Sequence, residues 1–130
     1  MIVLADDDDD LRGIYSQMLR LEGHEVREAA NGVDALALIE KETPSLLILD
    51  VWMPILNGFE VLERLRGGPA GVTMKVVMLS NLGDSDSRLE SFSIGVVDYW
   101  TKGLSLDELR VRVRSLLESE SILPEHVQKV

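Results

Sequence analysis

Short apolar runs alternate with longer amphipathic segments along the whole chain. Two of the runs, Leu46–Asp50 and Lys75–Ser80, are almost continuously apolar, which is typical of strands buried on both faces of a parallel sheet. Shorter strands are predicted at Ile2–Ala5, 25–29 and 96–100. Because strands that alternate with helices favour a parallel sheet covered on both faces by right-handed crossovers, the pattern predicts an α/β fold of five βα units.

Helices are predicted between these strands, where apolar residues recur every three or four positions. The first ends at Gly23, the second and third begin at the N-caps Asn31 and Asn57, and the fourth spans about 84–94 and ends at Gly95. The third helix is expected to end at 67–69, a Gly-Gly-Pro sequence. The apolar positions of the first three helices are Leu11, Ile14, Tyr15, Met18 and Leu21; Val33, Leu36, Ala37 and Ile39; and Phe59, Leu62 and Leu65.

The last regular segment has two interpretations. Residues 109–114 (LRVRVR) alternate with a period of two, as a strand would. Ser105 and Glu108, however, have the spacing of a capping box, and apolar residues continue at helical spacing to position 117, so a helix is favoured. Residues 1–118 are therefore expected to form one domain, and 119–130 a C-terminal tail or the stub of a linker.

Composition narrows the classes of function. The 130 residues carry a net charge of -10, which argues against binding nucleic acid or anionic lipid directly. Without cysteine there is neither a disulfide nor a thiolate metal site. The first apolar run is too short for a signal peptide, and none reaches the about 18 residues of a membrane span. A cytoplasmic protein that does not enter the membrane is expected.

Polar side chains follow four of the five predicted strands at the end where each strand stops. In open α/β sheets that edge is where ligands bind, so residues far apart in sequence are expected to converge there. The residues concerned are Asp6 and Asp7, Asp50, Ser80 and Asn81, and Thr101 and Lys102.

The convergent set suits phosphoryl transfer to a carboxylate. Three crowded carboxylates repel one another, and a hard divalent cation such as Mg²⁺ relieves that repulsion. Lys102 offers a positive charge to a phosphoryl oxygen, and Ser80 offers a hydroxyl donor. In this setting Asp50 is the candidate nucleophile, forming an acyl phosphate.

These motifs resemble those of the receiver domains of two-component response regulators, the chemotaxis-Y-like family. The resemblance covers about residues 1–118 and rests on Asp6-Asp7, on 50–58 (DVWMPILNG), on Ser80 and on 98–102 (DYWTK). Each motif is weak by itself, but together and in this order they are highly specific. The resemblance implies a flavodoxin-like, doubly wound sheet with the strand order 2-1-3-4-5.

The resemblance also implies a role for each matching residue. Asp50 would accept a phosphoryl group from the phosphohistidine of a sensor histidine kinase or phosphotransfer protein. Asp7, Asp50 and the backbone carbonyl of Trp52 would bind Mg²⁺ directly, and Asp6 would act mostly through a metal-bound water. Lys102 would hold a phosphoryl oxygen.

Signalling would follow from a movement after phosphorylation. The resemblance implies that Ser80 swings towards the phosphate and that Tyr99 turns inward behind it. The face formed by the fourth predicted helix, the fifth strand and the last helix would then switch. The serine-rich composition of 85–94 predicts a helix of low stability, as switching segments need. An output domain or a downstream protein, and a homodimer formed on phosphorylation, are the partners that this scheme allows.

Three departures from the family pattern concern the control of the phosphate. Gly103 stands where the family usually has Pro, so the loop that positions Lys102 is expected to be looser. Asn81 replaces a small residue and could narrow the approach to the site or donate to it. Trp52 and Leu82 occupy positions that flank the path of the hydrolytic water in this family. Two apolar side chains there predict slow self-dephosphorylation.

Two other functions are weighed against a phosphoacceptor. Gly103 and Asn81 give some weight to a pseudo-receiver, a protein-interaction module that takes no phosphate. A flavin- or nucleotide-binding protein with the same sheet order would need a glycine- or Ser/Thr-rich phosphate loop after the first strand, where this chain has five Asp. Within that run, Asp8, Asp9 and Asp10 are expected to be solvated, with Asp8 as an N-cap, and EF-hand spacing is missing.

Overall fold

A computed structural model describes residues 1–66, 68, 74–81 and 96–118. The described residues form five strands and four helices: β1 (Ile2–Ala5), α1 (Asp9–Leu21), β2 (Val26–Ala29), α2 (Gly32–Lys41), β3 (Leu46–Asp50), α3 (Gly58–Arg66), β4 (Lys75–Ser80), β5 (Val96–Thr101) and α4 (Leu106–Glu118). The helix predicted at 84–94, the glycine and proline stop at 67 and 69, and the tail at 119–130 lie outside the described residues. In the described part of the chain, no helix has the length and hydrophobicity needed to cross a membrane.

All neighbouring strands pair in parallel, and the order across the sheet is β2-β1-β3-β4-β5. The predicted α/β class and strand order are confirmed. Strands β3 and β4 are fully buried, as their apolar runs predicted, because helices cover both faces of the sheet.

Alternate residues of each strand feed two separate apolar clusters, one on each face. In β1, Ile2 and Leu4 pack with α1 and α4, whereas Val3 and Ala5 pack with α2 and α3. Trp100 of β5, 1% exposed, is among the largest side chains in the α1–α4 cluster. Within the described residues, the sheet thus lies between two helices on each face, the architecture that right-handed crossovers produce.

The predicted helix starts are confirmed by side-chain hydrogen bonds. Asp8 Oδ1 accepts from two backbone N–H groups of the first turn of α1, both at 3.1 Å. Asn31 and Asn57 cap α2 and α3 in the same way, at 2.8 and 2.9 Å. Ser105 Oγ accepts from the Glu108 N–H at 3.1 Å, which starts α4 and confirms a helix over the alternative strand.

The buried faces of the first two helices were predicted only in part. In α1, Tyr15 is buried as expected, but Ile14 and Leu21 are 50% and 76% exposed, while Leu19 is fully buried. In α2, Val33 is 48% exposed and Ala37 is also exposed, while Ala35 and Ile39 are buried. The apolar residues of both helices span more of the circumference than the sheet can cover. Contact with the sheet, and not hydrophobicity, therefore decides which of them are buried.

Candidate functional site

Three carboxylates meet at the carboxyl ends of the neighbouring strands β1 and β3. The register pairs Ala5 with Leu49, so the next residues, Asp6 and Asp50, come side by side. Asp6, Asp7 and Asp50 each bring a carboxylate oxygen within 4.8 Å of those of the other two. Asp6 and Asp50 are each 1% exposed, whereas Asp7 is exposed, so the cluster has two buried members and one facing solvent.

Lys102 extends across the top of the sheet to the two buried carboxylates. Its backbone N–H donates to the carbonyl of Ser80 at 2.9 Å, which continues the β4–β5 ladder by one bond. Its Nζ donates to Asp6 Oδ1 at 3.2 Å and lies 3.1 Å from Asp50 Oδ2. One ammonium thus contacts both buried carboxylates, and three negative charges outnumber it.

Burial, together with the neighbouring charges, shifts the ionisation of Asp50. Burial raises the pKa of Asp50 to about 7, with a further rise from the charge of Asp6 and a partial reduction from Lys102. The pKa of Lys102 is also raised: burial lowers it, but the charges of Asp50 and Asp6 outweigh burial. Lys102 therefore stays charged at neutral pH.

Two buried carboxylate oxygens in this cluster accept no hydrogen bond from the described residues. Asp6 Oδ1 accepts from the Asp8 N–H at 2.9 Å, and Asp50 Oδ1 from the Trp52 N–H at 3.3 Å. Oδ2 of each carboxylate accepts no hydrogen bond within the described residues and has Lys102 Nζ as its ion-pair partner, at 3.2 Å for Asp6 and 3.1 Å for Asp50. Hard carboxylate oxygens left without donors, in a cluster with excess negative charge, fit the requirements of Mg²⁺.

The loop after Asp50 is held close to the strand by a glycine. A Cβ on Gly58 would lie 2.4 Å from the carbonyl oxygen of Asp50, a distance that no side chain tolerates. The Gly58 N–H also donates to the Val51 carbonyl at 2.9 Å. Trp52, 39% exposed, meets the ring of Phe59 edge-on at 5.6 Å between centroids. The start of α3 thus constrains the backbone on which Asp50 lies.

The other predicted site residues lie at the same edge of the sheet or on the strands that lead to it. Ser80 is the last residue of β4 and 7% exposed, and Asn81 follows it with its side chain exposed. Tyr99, on β5, pairs with Met78 and packs partly buried against the apolar cluster under α2 and α3. The loop carrying Trp52 adjoins the cluster through the bond to Asp50. Leu82 lies outside the described residues.

Two contacts of the site involve residues to which the sequence analysis gave no such part. The Tyr15 hydroxyl of α1 lies 3.2 Å from the carbonyl oxygen of Lys102. Arg12 donates to the carbonyl of Asp6 at 2.7 Å and also meets Glu28 at 3.2 Å. The helical spacing assigned Tyr15 to an apolar face, where it does lie, and nothing in the spacing identifies a partner 87 residues away.

The sequence matches a family model described as a response regulator receiver domain over residues 2–114. It is 33% identical over 124 residues to the DNA-binding dual master transcriptional regulator RpaA of Synechocystis, a match covering 95% of this chain and 52% of that protein. It is 30% identical to sporulation initiation phosphotransferase F of Bacillus subtilis, with 92% and 95% of the two chains covered. The chain thus spans about half the length of the transcriptional regulators that it matches.

Solved structures of response regulators have the same fold as this chain. The receiver domain of NtrX from Brucella abortus superimposes with a TM-score of 0.81 at 30% identity, over 92% of this chain and 99% of that one. A response regulator structure from Chloroflexus aurantiacus also has a TM-score of 0.81, at 36% identity over 91% and 97% of the two chains.

Proposed function

Because the chain belongs to the response regulator receiver domain family, we propose that Asp50 accepts a phosphoryl group from a phosphohistidine. The donor would be a sensor histidine kinase or a phosphotransfer protein, acting in the cytoplasm. An oxygen of Asp50 forms a bond to phosphorus while the phosphorus–nitrogen bond breaks, and the imidazole leaves with that electron pair. The observation that carries the proposal is the buried Asp50 carboxylate, 3.1 Å from Lys102 Nζ and clustered with Asp6 and Asp7.

The surrounding residues supply charge and position. Asp7, Asp50 and the carbonyl of Trp52 would hold Mg²⁺ directly, with Asp6 acting through a water. Bound there, Mg²⁺ supplies charge neutralisation for the phosphoryl oxygens. Lys102 already lies between the two buried carboxylates, so its ammonium can pass from Asp50 to a phosphoryl oxygen with a small movement of its side chain. The reaction has no separate small-molecule substrate, and the domain acts as a switch.

The readout would pass along the sheet to its β5 edge. Ser80 would move towards the phosphoryl group and Tyr99 would turn inward, altering the face formed by the helix predicted at 84–94, β5 and α4. An output domain or a downstream protein would read that face, and a homodimer on phosphorylation would use it. Amide exchange with and without beryllofluoride tests this, and unchanged exchange across 84–95, β5 and α4 would contradict it.

Acetyl phosphate with Mg²⁺, followed by intact-mass measurement, tests the acceptor reaction. The expected result is the mass of one added phosphoryl group. No mass should be gained when a chelator has removed the metal before acetyl phosphate is added. Asp50→Asn should abolish the gain. Asp10→Asn, the same substitution on an exposed carboxylate of α1, should leave it intact. A wild-type chain that gains no mass would refute the acceptor function and favour the alternative, a pseudo-receiver that acts through protein contacts alone.

A further inference from the structure

The loop that carries Lys102 has a glycine directly after the lysine. Lys102 is the first residue after β5, and Gly103 is exposed, with no atom of the described residues within 4 Å of the position where its Cβ would lie. The Lys102–Gly103 peptide bond is trans. Because glycine has the greatest backbone freedom of any residue, this sequence by itself would let the Lys102 carbonyl and side chain change direction.

A side chain of α1 restrains this loop from outside it. Tyr15, in the middle of α1 and 2% exposed, directs its hydroxyl at two carbonyl oxygens of the loop, those of Lys102 at 3.2 Å and Leu104 at 3.4 Å. The two acceptors lie on either side of Gly103 and share one donor. A single buried group on a rigid helix therefore spans the flexible residue.

Two backbone hydrogen bonds also tie this loop to the strands β4 and β5. The Lys102 N–H donates to the Ser80 carbonyl at 2.9 Å, and the Leu104 N–H donates to the Thr101 carbonyl at 3.1 Å. The Lys102 backbone is thus held through its N–H by β4 and through its C=O by Tyr15, and this orientation brings its Nζ to within 3.1 Å of Asp50. Burial raises the pKa of the Tyr15 phenol, so the hydroxyl keeps the proton that it donates at neutral pH.

We propose that Tyr15 is a positioning residue for the phosphoryl-transfer site, which holds the Lys102 backbone through its hydroxyl and so replaces the rigidity that Gly103 lacks. The inference rests on the proposed phosphoacceptor function. Tyr15 touches no reacting atom, so its effect is exerted entirely through the direction of the Lys102 side chain.

Tyr15→Phe isolates the hydroxyl, since the ring and its packing are retained. With acetyl phosphate and Mg²⁺, phosphorylation of the variant should be about three- to tenfold slower than that of the wild type, the loss expected for one hydrogen bond. Mg²⁺ affinity, measured by calorimetry, should be unchanged, because Lys102 is not a metal ligand. Equal fractions folded, verified by urea denaturation, exclude a general loss of structure.

Glu22→Gln is the matched control. It weakens a contact that does not involve the Lys102 loop, the 3.0 Å ion pair of Glu22 with Arg114 of α4. Glu22 is the C-cap of α1, at the end of the helix away from the carboxylates. Its phosphorylation rate should equal that of the wild type. A Tyr15→Phe rate equal to the wild-type rate would overturn the proposal, as would a parallel loss of Mg²⁺ affinity, which would indicate general disruption of the site. If the wild type is not phosphorylated at all, the proposed function fails instead.

Gly103→Ala tests the loop without altering α1. The added methyl group would contact none of the residues that the structure describes, and alanine has less backbone freedom than glycine. With Tyr15 in place the loop is already restrained, so the single variant should change the rate by less than about twofold. In the Tyr15→Phe background it should restore part of the lost rate. A double variant as slow as Tyr15→Phe alone would contradict a restraint on the loop.

Discussion

Replacing Asp50 by Asn should stabilise the metal-free domain, and the gain should depend on pH. In the folded chain, burial and the charge of Asp6 raise the pKa of Asp50 from 3.8 to about 7. Between about pH 4 and about pH 7, Asp50 is therefore protonated in the folded state and ionised in the unfolded state. The contribution of Asp50 to the free energy of unfolding is fully present below its unfolded-state pKa of 3.8 and is lost as the pH rises to its folded-state pKa of about 7.

The size of the loss follows from the shift. An interval from 3.8 to about 7 corresponds to a decrease of about 4 kcal/mol in the free energy of unfolding, because each pKa unit is worth about 1.4 kcal/mol. Asn cannot ionise and avoids this cost. At about pH 8 the Asp50→Asn variant should thus exceed the wild type by up to about 4 kcal/mol, and the advantage should shrink towards about pH 4.

Urea denaturation followed by circular dichroism, in the presence of a chelator, measures this difference across the pH range. Asp10→Asn, at an exposed position of α1, is the control and should give a difference close to zero throughout. Adding Mg²⁺ should stabilise the wild type at high pH and have much less effect on Asp50→Asn. A difference between Asp50→Asn and the wild type that stays constant from about pH 4 to about pH 8 would refute the argument from burial and charge.

Three further substitutions test other parts of the structure. Gly58→Ala would set a Cβ 2.4 Å from the Asp50 carbonyl oxygen and should cost about 2 kcal/mol in urea denaturation and slow phosphorylation by acetyl phosphate; wild-type behaviour in both would contradict that contact. Ser16→Ala removes a fully buried hydroxyl that has no hydrogen-bond partner among the described residues and should raise the free energy of unfolding by about 1 kcal/mol; a variant less stable than the wild type would contradict this. Trp52→Asn should speed the decay of phosphoprotein with Mg²⁺ present, and decay no faster than that of the wild type would end the water-exclusion hypothesis.

The site was predictable to the extent that it depends on strand ends. Asp6, Asp50 and Lys102 each follow or end an apolar run, and parallel strands bring such positions to one edge, so sequence alone grouped them correctly. Helix starts were equally accessible, since Asn31 and Asn57 act through hydrogen bonds within four residues.

The features that the sequence did not predict depend on contacts between elements that are distant along the chain. Ile14 and Leu19 are both apolar residues of α1, and only the position of the sheet decides that the first is half exposed and the second buried. The hydroxyl of Tyr15 meets a carbonyl 87 residues away, which no local pattern encodes. The pKa of Asp50 likewise depends on burial and on neighbours from two other strands.

The ion pair between Asp6 and Lys102 joins residues 96 positions apart, at the two ends of the domain. Ribosomes release the amino-terminal carboxylates long before the lysine has been synthesised, and a chain cut anywhere between them would hold only half of the pair. If Asp50 is the phosphoacceptor proposed above, its site is complete only once β5, the last strand, has joined the sheet. Truncated or incompletely folded copies would then lack Lys102 at the site and would not accept a phosphoryl group, so only a completely folded domain could act as a switch.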